Sequence, residues 1–438
     1  MSAPQPMPTE EKTPPKGVTK QGLLSALGPG LVTGASDDDP SGIATYSQVG
    51  AQFGYGMLWT MLFSYPLMAG IQEISALIGR VTGHGIAGNL RRHYSPVLLY
   101  LMIGLMLVAN TINLGADIGA MGAAVNLLVG GPVLLYAALF ATASVLLETL
   151  LPYDRYARVL KWLCLSLFAY VATVFVVHVP WGHALRATVL PSFSWKAAYV
   201  TSIVAVLGTT ISPYLFFWQA EEEVEIEKAN PTDEPLKKNS RGAAAQLQRI
   251  RVDTYAGMGF SNLVAFFIMV TAAAALHYHI PPITDIQTST DAAKALKPVA
   301  GQFAYLLFSL GIIGTGLLAL PVLAGSAAYA VGEALRWPVG LNRDLLHARG
   351  FYGVLAAATF IGLGLNLVHI DPIKALFWSA VINGVVAGPI MILMMLMATN
   401  PVIMGRFTLN FRQKLFGWAA TAAMLAAAAA LFITWGKT

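Results

Sequence analysis

The chain has one cysteine in 438 residues, and only 11% of its residues are charged. With Cys164 alone in an apolar stretch, neither an intramolecular disulfide nor a thiolate metal cluster can form; a free cysteine in such surroundings normally serves as inert filler. Charge at this level is well under half of the roughly 25% found in soluble domains. Histidine is sparse: His84, His93, His178, His183, His277, His279, His347 and His369 fall in loops or near helix ends, so no mid-membrane histidine relay is visible. A Walker A pattern is missing, as is any soluble segment large enough to bind ATP, which excludes transport driven by hydrolysis within this chain. The first 20 residues are rich in Pro, Lys and Glu and contain no apolar run, unlike a cleavable signal peptide. Residues 1–21 read instead as a disordered cytoplasmic tail.

What the chain has in abundance is apolar sequence: 56% of residues are hydrophobic and the mean hydropathy is +0.62. Segments long enough to span, at about 20 residues each, occur at 22–52, 55–79, 97–128, 132–151, 157–179, 197–220, 253–277, 303–333, 350–369, 372–398 and 414–435. An all-α, eleven-span membrane protein is expected. Placing the N-terminus inside puts 21 of the 27 Lys and Arg on the cytoplasmic side, and an odd number of spans then leaves the C-terminus outside. The net charge of +5 thus follows from topology, and no nucleic-acid partner is implied.

The apolar pattern divides into two five-helix halves, 22–179 and 197–398, joined by an external loop at 180–196 and followed by a final helix within 399–438. Each half opens with an interrupted helix. The first break is Asp37-Asp38-Asp39-Pro40-Ser41-Gly42; the second is Ser212-Pro213, preceded by Gly208, Thr209 and Thr210. Paired interruptions in two halves of opposite topology point to a midplane binding site. An aspartate near the bilayer centre costs roughly 2.5–3.5 kcal/mol on insertion scales, and non-helical backbone at that depth persists only where it lines a cavity or is buried in protein. One aspartate can cap the second half-helix; three in a row suggest a cation. Asp39, Asp37 and Asp38, with Ser41, Ser212, Thr209 and freed carbonyls, supply the hard oxygen ligands that Mg²⁺ and Mn²⁺ favour.

Asn110, Asn113 and Asp117 lie at i, i+3 and i+7 of the third span and share a face. They suit either a polar path or interhelical hydrogen bonding. Asn383, beside Gly384 in the tenth span, is placed to approach the site or to pack. Glu73 and Glu148 read as pairing or interfacial groups. The run Glu221-Glu222-Glu223-Val224-Glu225 reads as a solvated helical end balanced by Lys and Arg. The aromatic cluster Tyr214, Phe216, Phe217 and Trp218 reads as packing, the alternative being a pocket for an organic solute.

Gly28-Pro29-Gly30, Asp39-Pro40-Ser41-Gly42, Ile43-Ala44-Thr45, Gly50-Ala51-Gln52-Phe53-Gly54-Tyr55, Ile118-Gly119 and Asn126-Leu127-Leu128 resemble the Nramp family of divalent-metal transporters. The resemblance implies a LeuT-type fold of two inverted five-helix repeats plus an eleventh transmembrane helix, and proton-coupled uptake of Mn²⁺ or Fe²⁺. The departures from the family pattern fall in its metal site. Asp-Pro-Gly-Asn becomes Asp39-Pro40-Ser41-Gly42, and Met-Pro-His becomes Ser212-Pro213-Tyr214. A second histidine falls on Gln219, the acids of the third span fall on Asn113 and Ala116 with Asp117 adjacent, and a tenth-span glutamine falls on Ala380. Without a sulfur ligand the site loses a principal reason to prefer Mn²⁺ or Fe²⁺ over harder ions, which shifts the expected substrate, Mg²⁺ or Mn²⁺, toward Mg²⁺, and the replaced histidines and acids imply weak or no proton coupling. The chain is expected to be an inner-membrane, monomeric carrier without a cofactor or ATP, its pathway including Asn113, Asp117, Tyr214, Gln219 and Asn383. An organic-solute carrier and a transport-inactive metal binder are the alternatives.

Overall fold

The computed structural model describes residues 29–150, 167–230, 233–341, 343–368 and 370–436, all helices and connections. The N-terminal tail, Cys164 and residues 157–166 of the fifth predicted span lie outside them. The main helices are α1 (Pro29–Asp37), α2 (Pro40–Phe53), α3 (Trp59–Thr82), α4 (Ile86–His93), α5 (Pro96–Val129), α6 (Val133–Leu150), α7 (Phe168–Val176) and α8 (Trp181–Val189). They continue with α9 (Ala197–Thr210), α10 (Pro213–Ala229), α11 (Ala243–Ala272), α12 (Ala304–Leu335), α13 (Arg349–Leu365), α14 (Pro372–Thr399) and α15 (Phe411–Thr434). Among the described residues nine helices are long and apolar enough to cross a membrane. The first predicted span, two pieces of 9 and 14 residues around three adjacent aspartates, is not among them. The fifth survives in the described residues only as α7.

Local sequence explains where helices begin. Pro40, Pro96, Pro213 and Pro372 stand in the opening turns of α2, α5, α10 and α14, where a missing N–H costs nothing. Asp371 caps α14 by accepting from Ile373 N at 2.9 Å, and Asn410 with Gln413 forms a reciprocal capping box at α15. Close crossings rest on glycine. A Cβ on Gly34 of α1 would stand 2.3 Å from the Gly257 carbonyl of α11, and one on Gly208 of α9 would stand 2.0 Å from the Ala380 carbonyl of α14. Small residues let membrane helices approach backbone to backbone, and here they seat each broken helix on a continuous one. Helices α3, α9–α10, α12 and α14 form the interior, while α6, α13 and α15 expose most of their surface, including Leu135, Leu139, Phe360 and Phe432.

The basic connections gather at one end. Leu236 N and Lys237 N donate to the carbonyls of Arg80 and Val81, Lys237 Nζ reaches the Val402 carbonyl at 2.7 Å, and an Arg91 guanidinium nitrogen reaches the Glu333 carbonyl at 3.1 Å. The acidic run is corrected at this end: Glu221 and Glu223 are 2% and 0% exposed rather than solvated. Burial of Glu223 and of Glu227 beyond the run is tolerated because basic partners were folded in with them. Arg249 pairs with Glu223, and Arg80, itself 1% exposed, bridges Glu227 at 3.3 Å and Asp233 at 2.7 Å. Glu73 does pair, with Arg251 at 3.2 Å and Gln413 at 2.9 Å; Glu148 accepts from Ser144 at 2.6 Å. In the loop between α3 and α4, burial together with Arg92, Lys228 and Lys238 pushes the His84 imidazole down to about 4.

Candidate functional site

At the first break α1 ends at Asp37, the chain bends at Asp38 and runs extended at Asp39, and α2 starts on Pro40. Asp39, at φ −66° and ψ 172°, works in two directions. Its Oδ1 caps α2, accepting from Gly42 N at 2.8 Å and Ser41 Oγ at 2.6 Å. Its Oδ2 faces α5 and α10, receiving Asn113 Nδ2 at 3.0 Å and the Tyr214 hydroxyl at 3.4 Å. The Asn113 amide also donates to Asp117 Oδ2 at 3.2 Å, and its own oxygen accepts from Asn383 Nδ2 at 3.3 Å. The result is one polar chain in which Asn113 joins Asp39, Asp117 and Asn383, every member at most 1% exposed. Asp117 Oδ1 and Asn383 Oδ1 have no hydrogen-bond partner and remain as open acceptors in it.

The other sequence candidates divide around this chain. Asn110 leaves the expected stripe: it donates to Leu323 O at 3.0 Å and Ser326 Oγ at 2.9 Å, cementing α5 to α12. Gln219 accepts from Thr33, tying α10 to α1 one turn away from Asp39. The Ser212 hydroxyl is turned back on its own helix end, donating to the carbonyls of Gly208 at 2.7 Å and Thr209 at 2.9 Å. The two breaks nonetheless meet. A Cβ on Gly42 would lie 3.2 Å from Thr209 Oγ1 and 3.3 Å from the Asp37 carbonyl oxygen, so the position is too tight for a longer side chain without displacement. Phe216, Phe217 and Trp218 are buried in the core, as their packing reading required.

Asp37 and Asp38 point away from Asp39, toward α11. Ser261 Oγ lies 2.6 Å from Asp37 Oδ2 and 3.3 Å from Asp38 Oδ1. Ser261 was not singled out from the sequence, nor was Asp253 on the same helix, whose carboxylate accepts from Gly30 N at 2.7 Å and holds the start of α1. The available signal was the polar set Asp253, Ser261 and Asn262 inside an otherwise apolar span. Among the described residues no three His, Cys, Asp or Glu side chains converge as a ready-made metal centre. A cation at Asp39 would therefore meet the carboxylates of Asp39 and Asp117, neutral amides, a phenol and backbone carbonyls, a set of hard oxygen donors.

Two helices broken at matching places, a buried carboxylate at the first break and glycine-mediated seating on unbroken helices define a multi-pass carrier of the LeuT type. The protein is thus an all-α membrane protein of that fold, and not an enzyme. A family model described as "Natural resistance-associated macrophage protein-like" (Nramp) matches residues 30–434, and the chain belongs to the Nramp family. It is 28% identical over 371 residues to the divalent metal cation transporter MntH of Verminephrobacter eiseniae (strain EF01-2), covering 81% of each chain. To the MntH of Acidiphilium cryptum (strain JF-5) it is 26% identical over 394 residues, covering 87% of this chain and 84% of that one. Its fold is similar to a crystal structure of the Eremococcus coleocola manganese transporter with TM-score 0.74 at 16% identity, covering 96% of this chain and 88% of that one. MhsT in complex with L-phenylalanine gives 0.59 at 13% identity, covering 95% of this chain and 98% of that one.

Proposed function

We propose that this protein carries a divalent metal cation across the inner membrane by alternating access, with Mg²⁺ or Mn²⁺ as substrate and weak or no proton coupling. The observation that carries the reading is the double duty of Asp39. One oxygen fixes the carboxylate on α2 while the other is presented to Asn113 and Tyr214, in a chain that still holds unfilled oxygen acceptors. Acceptors of that kind suit the water shell of an ion that dehydrates reluctantly, as Mg²⁺ does. Position 212 offers a hydroxyl in place of a thioether, which removes one reason to prefer softer ions. The names of the relatives, divalent metal cation transporters and a manganese transporter, support the substrate class.

In this reading residues 22–179 and 197–398 are the two inverted repeats, 180–196 is external, the end that gathers the basic loops is cytoplasmic, and the carrier works as a monomer with its C-terminus outside. The test is uptake of Mg²⁺ and Mn²⁺ side by side into proteoliposomes with internal pH followed in the same vesicles. Saturable metal influx without acidification is expected. Influx matched by stoichiometric acidification would remove the uncoupled reading, and no metal influx with incorporation verified would remove the metal reading.

A further inference from the structure

Away from the breaks, an open cavity of about 660 Å³ lies over α3, between Arg251 and Tyr255 of α11 and the first turn of α15. Helix α3 packs against both α11 and α15 and supplies Glu73 to the cavity. The charge of Glu73 is met inside the protein: its Oε1 accepts from Arg251 Nε at 3.2 Å and from Gln413 Nε2 at 2.9 Å. The glutamate side chain is 4% exposed, whereas that of Arg251 is 56% exposed. Arg251 spends only Nε on the acid, so its terminal nitrogens keep their donors for something outside the chain.

Three further features favour an anion here. Arg412 is exposed, lines the same cavity and makes no ion pair among the described residues. Two arginines against one glutamate leave a positive charge over. The 24-residue helix α15 also starts at the cavity; Asn410 fills the N–H of Gln413, and the remaining N–H groups of the first turn, with the helix dipole behind them, attract negative charge.

We propose that this cavity binds the phosphate of an anionic phospholipid, held by the terminal nitrogens of Arg251, by Arg412 and by the start of α15. Phosphate is the anion that a planar guanidinium fork matches. The surroundings select a lipid over free phosphate: Tyr255 has the amphipathic ring that suits headgroup level, and Phe411 and Leu415 are 79% and 54% exposed, so the ligand meets charge and hydrocarbon together. Basic pockets between spanning helices are a recognised setting for anionic headgroups. Bound there, the phosphate would tie α11 to α15 across α3, reinforcing the link that the protein itself makes through Glu73. The inference is independent of the reading of Asp39.

Thermal unfolding of the full-length protein in non-ionic detergent, at fixed pH and ionic strength, tests it by titration with phosphatidylglycerol, phosphatidylcholine or inorganic phosphate. A saturable rise in melting temperature is expected with phosphatidylglycerol, larger than with either of the others. Arg412→Gln should move the midpoint of that titration up about fivefold, the equivalent of about 1 kcal/mol per basic residue at an anionic surface, and Arg412→Glu should abolish the rise. Arg349→Gln removes an exposed arginine at the start of α13, outside the cavity, and should leave the midpoint unchanged. An equal rise with phosphatidylcholine would overturn the anionic headgroup, and an equal rise with inorganic phosphate would assign a soluble anion and overturn the lipid. A midpoint shift in Arg349→Gln as large as that in Arg412→Gln would make the effect one of general surface charge and overturn the site. Arg251→Gln keeps a donor for Glu73 and should behave as Arg412→Gln does. If it elutes as aggregate, Arg412→Glu decides, and an unchanged rise in that variant counts against the proposal.

Discussion

Replacing Asp39 by asparagine separates the two jobs of this carboxylate. Asparagine is as good an N-cap as aspartate, so its side-chain oxygen can still accept from Gly42 N and Ser41 Oγ, now at 2.8 and 2.6 Å, and α2 keeps its start. The negative charge goes, and with it the acceptor that Oδ2 offers to Asn113 Nδ2 and the Tyr214 hydroxyl, since the amide nitrogen that replaces it can only donate. Two unit charges about 4 Å apart at an effective dielectric near 20 interact by about 4 kcal/mol, and a divalent ion doubles the attraction before its lost hydration is subtracted. Taking the unit-charge figure as the net loss gives a roughly 1,000-fold weaker affinity, at about 1.4 kcal/mol per factor of ten. Asp39→Ala removes cap and charge together and should add about 0.5–2 kcal/mol of destabilisation. The assay pairs concentration-dependent Mg²⁺ uptake in proteoliposomes with thermal unfolding of the same preparations. Asp39→Asn is expected to stay folded, with a melting temperature lowered by the donor–donor contact at Asn113, and to fail to saturate at any practical Mg²⁺ concentration. A wild-type KM in that variant would refute the assignment of Asp39 as the principal ligand.

Other outcomes follow from single residues. Ser212→Met releases the Gly208 and Thr209 carbonyls from the hydroxyl that now occupies them and adds a soft thioether. Competition uptake should then shift toward Mn²⁺ or Cd²⁺ over Mg²⁺, and an unchanged preference would mean that position 212 does not face the ion. Gly79→Ala places a Cβ 2.1 Å from the Ala220 carbonyl where α3 crosses α10. The overpacking should lower stability by about 1–3 kcal/mol, read as a drop in melting temperature; no drop would show that the crossing relaxes freely. His84, held near 4 by burial and by Arg92, Lys228 and Lys238, stays neutral in the folded protein while the unfolded chain binds a proton below about 6.5. Between those values the unfolded state holds more protons, so stability rises with pH across the window and this contribution is flat above it. Unfolding profiles of wild type and His84→Gln should therefore diverge between pH 4 and 6.5 and run parallel at pH 7–8.

The breaks were legible because they violate composition locally: three aspartates and a proline have no ordinary place in an apolar segment, and Ser212-Pro213 repeats the device in the second half. Span limits were legible for the same reason, with residues 372–398 predicted and Pro372–Thr399 observed. Which way each aspartate faces was not legible. Whether Asp39 or Asp38 meets α5 depends on the bend at Asp38 and on the angle at which α1 approaches α11, set by Gly34 on Gly257. The i, i+3, i+7 stripe on α5 likewise specified a shared face without saying that Asn110 sits high enough to reach α12 while Asn113 meets Asp39.

The acidic run shows why a charge pattern misleads when its partners are distant in sequence. Glu221 to Glu227 look like a solvated end because five acids in seven residues normally need water. Yet Arg80 comes from the end of α3, 147 residues before Glu227, and reaches both Glu227 and Asp233. Gln246 of α11 accepts from the same guanidinium. A buried arginine shared by α3, α10, α11 and their connection makes those helices one electrostatic unit at this end, because separating any of them would strand a charge away from water. Motion between conformations is therefore cheaper along surfaces that this network does not cross. Contacts of α10 with α12, where Glu225 accepts from the Tyr329 hydroxyl, are one such surface. Under the alternating-access proposal, the unit formed by α3, α10 and α11, with α1 seated on it through Gly34 and Asp253, is the piece expected to move as a body against α5, α12 and α14.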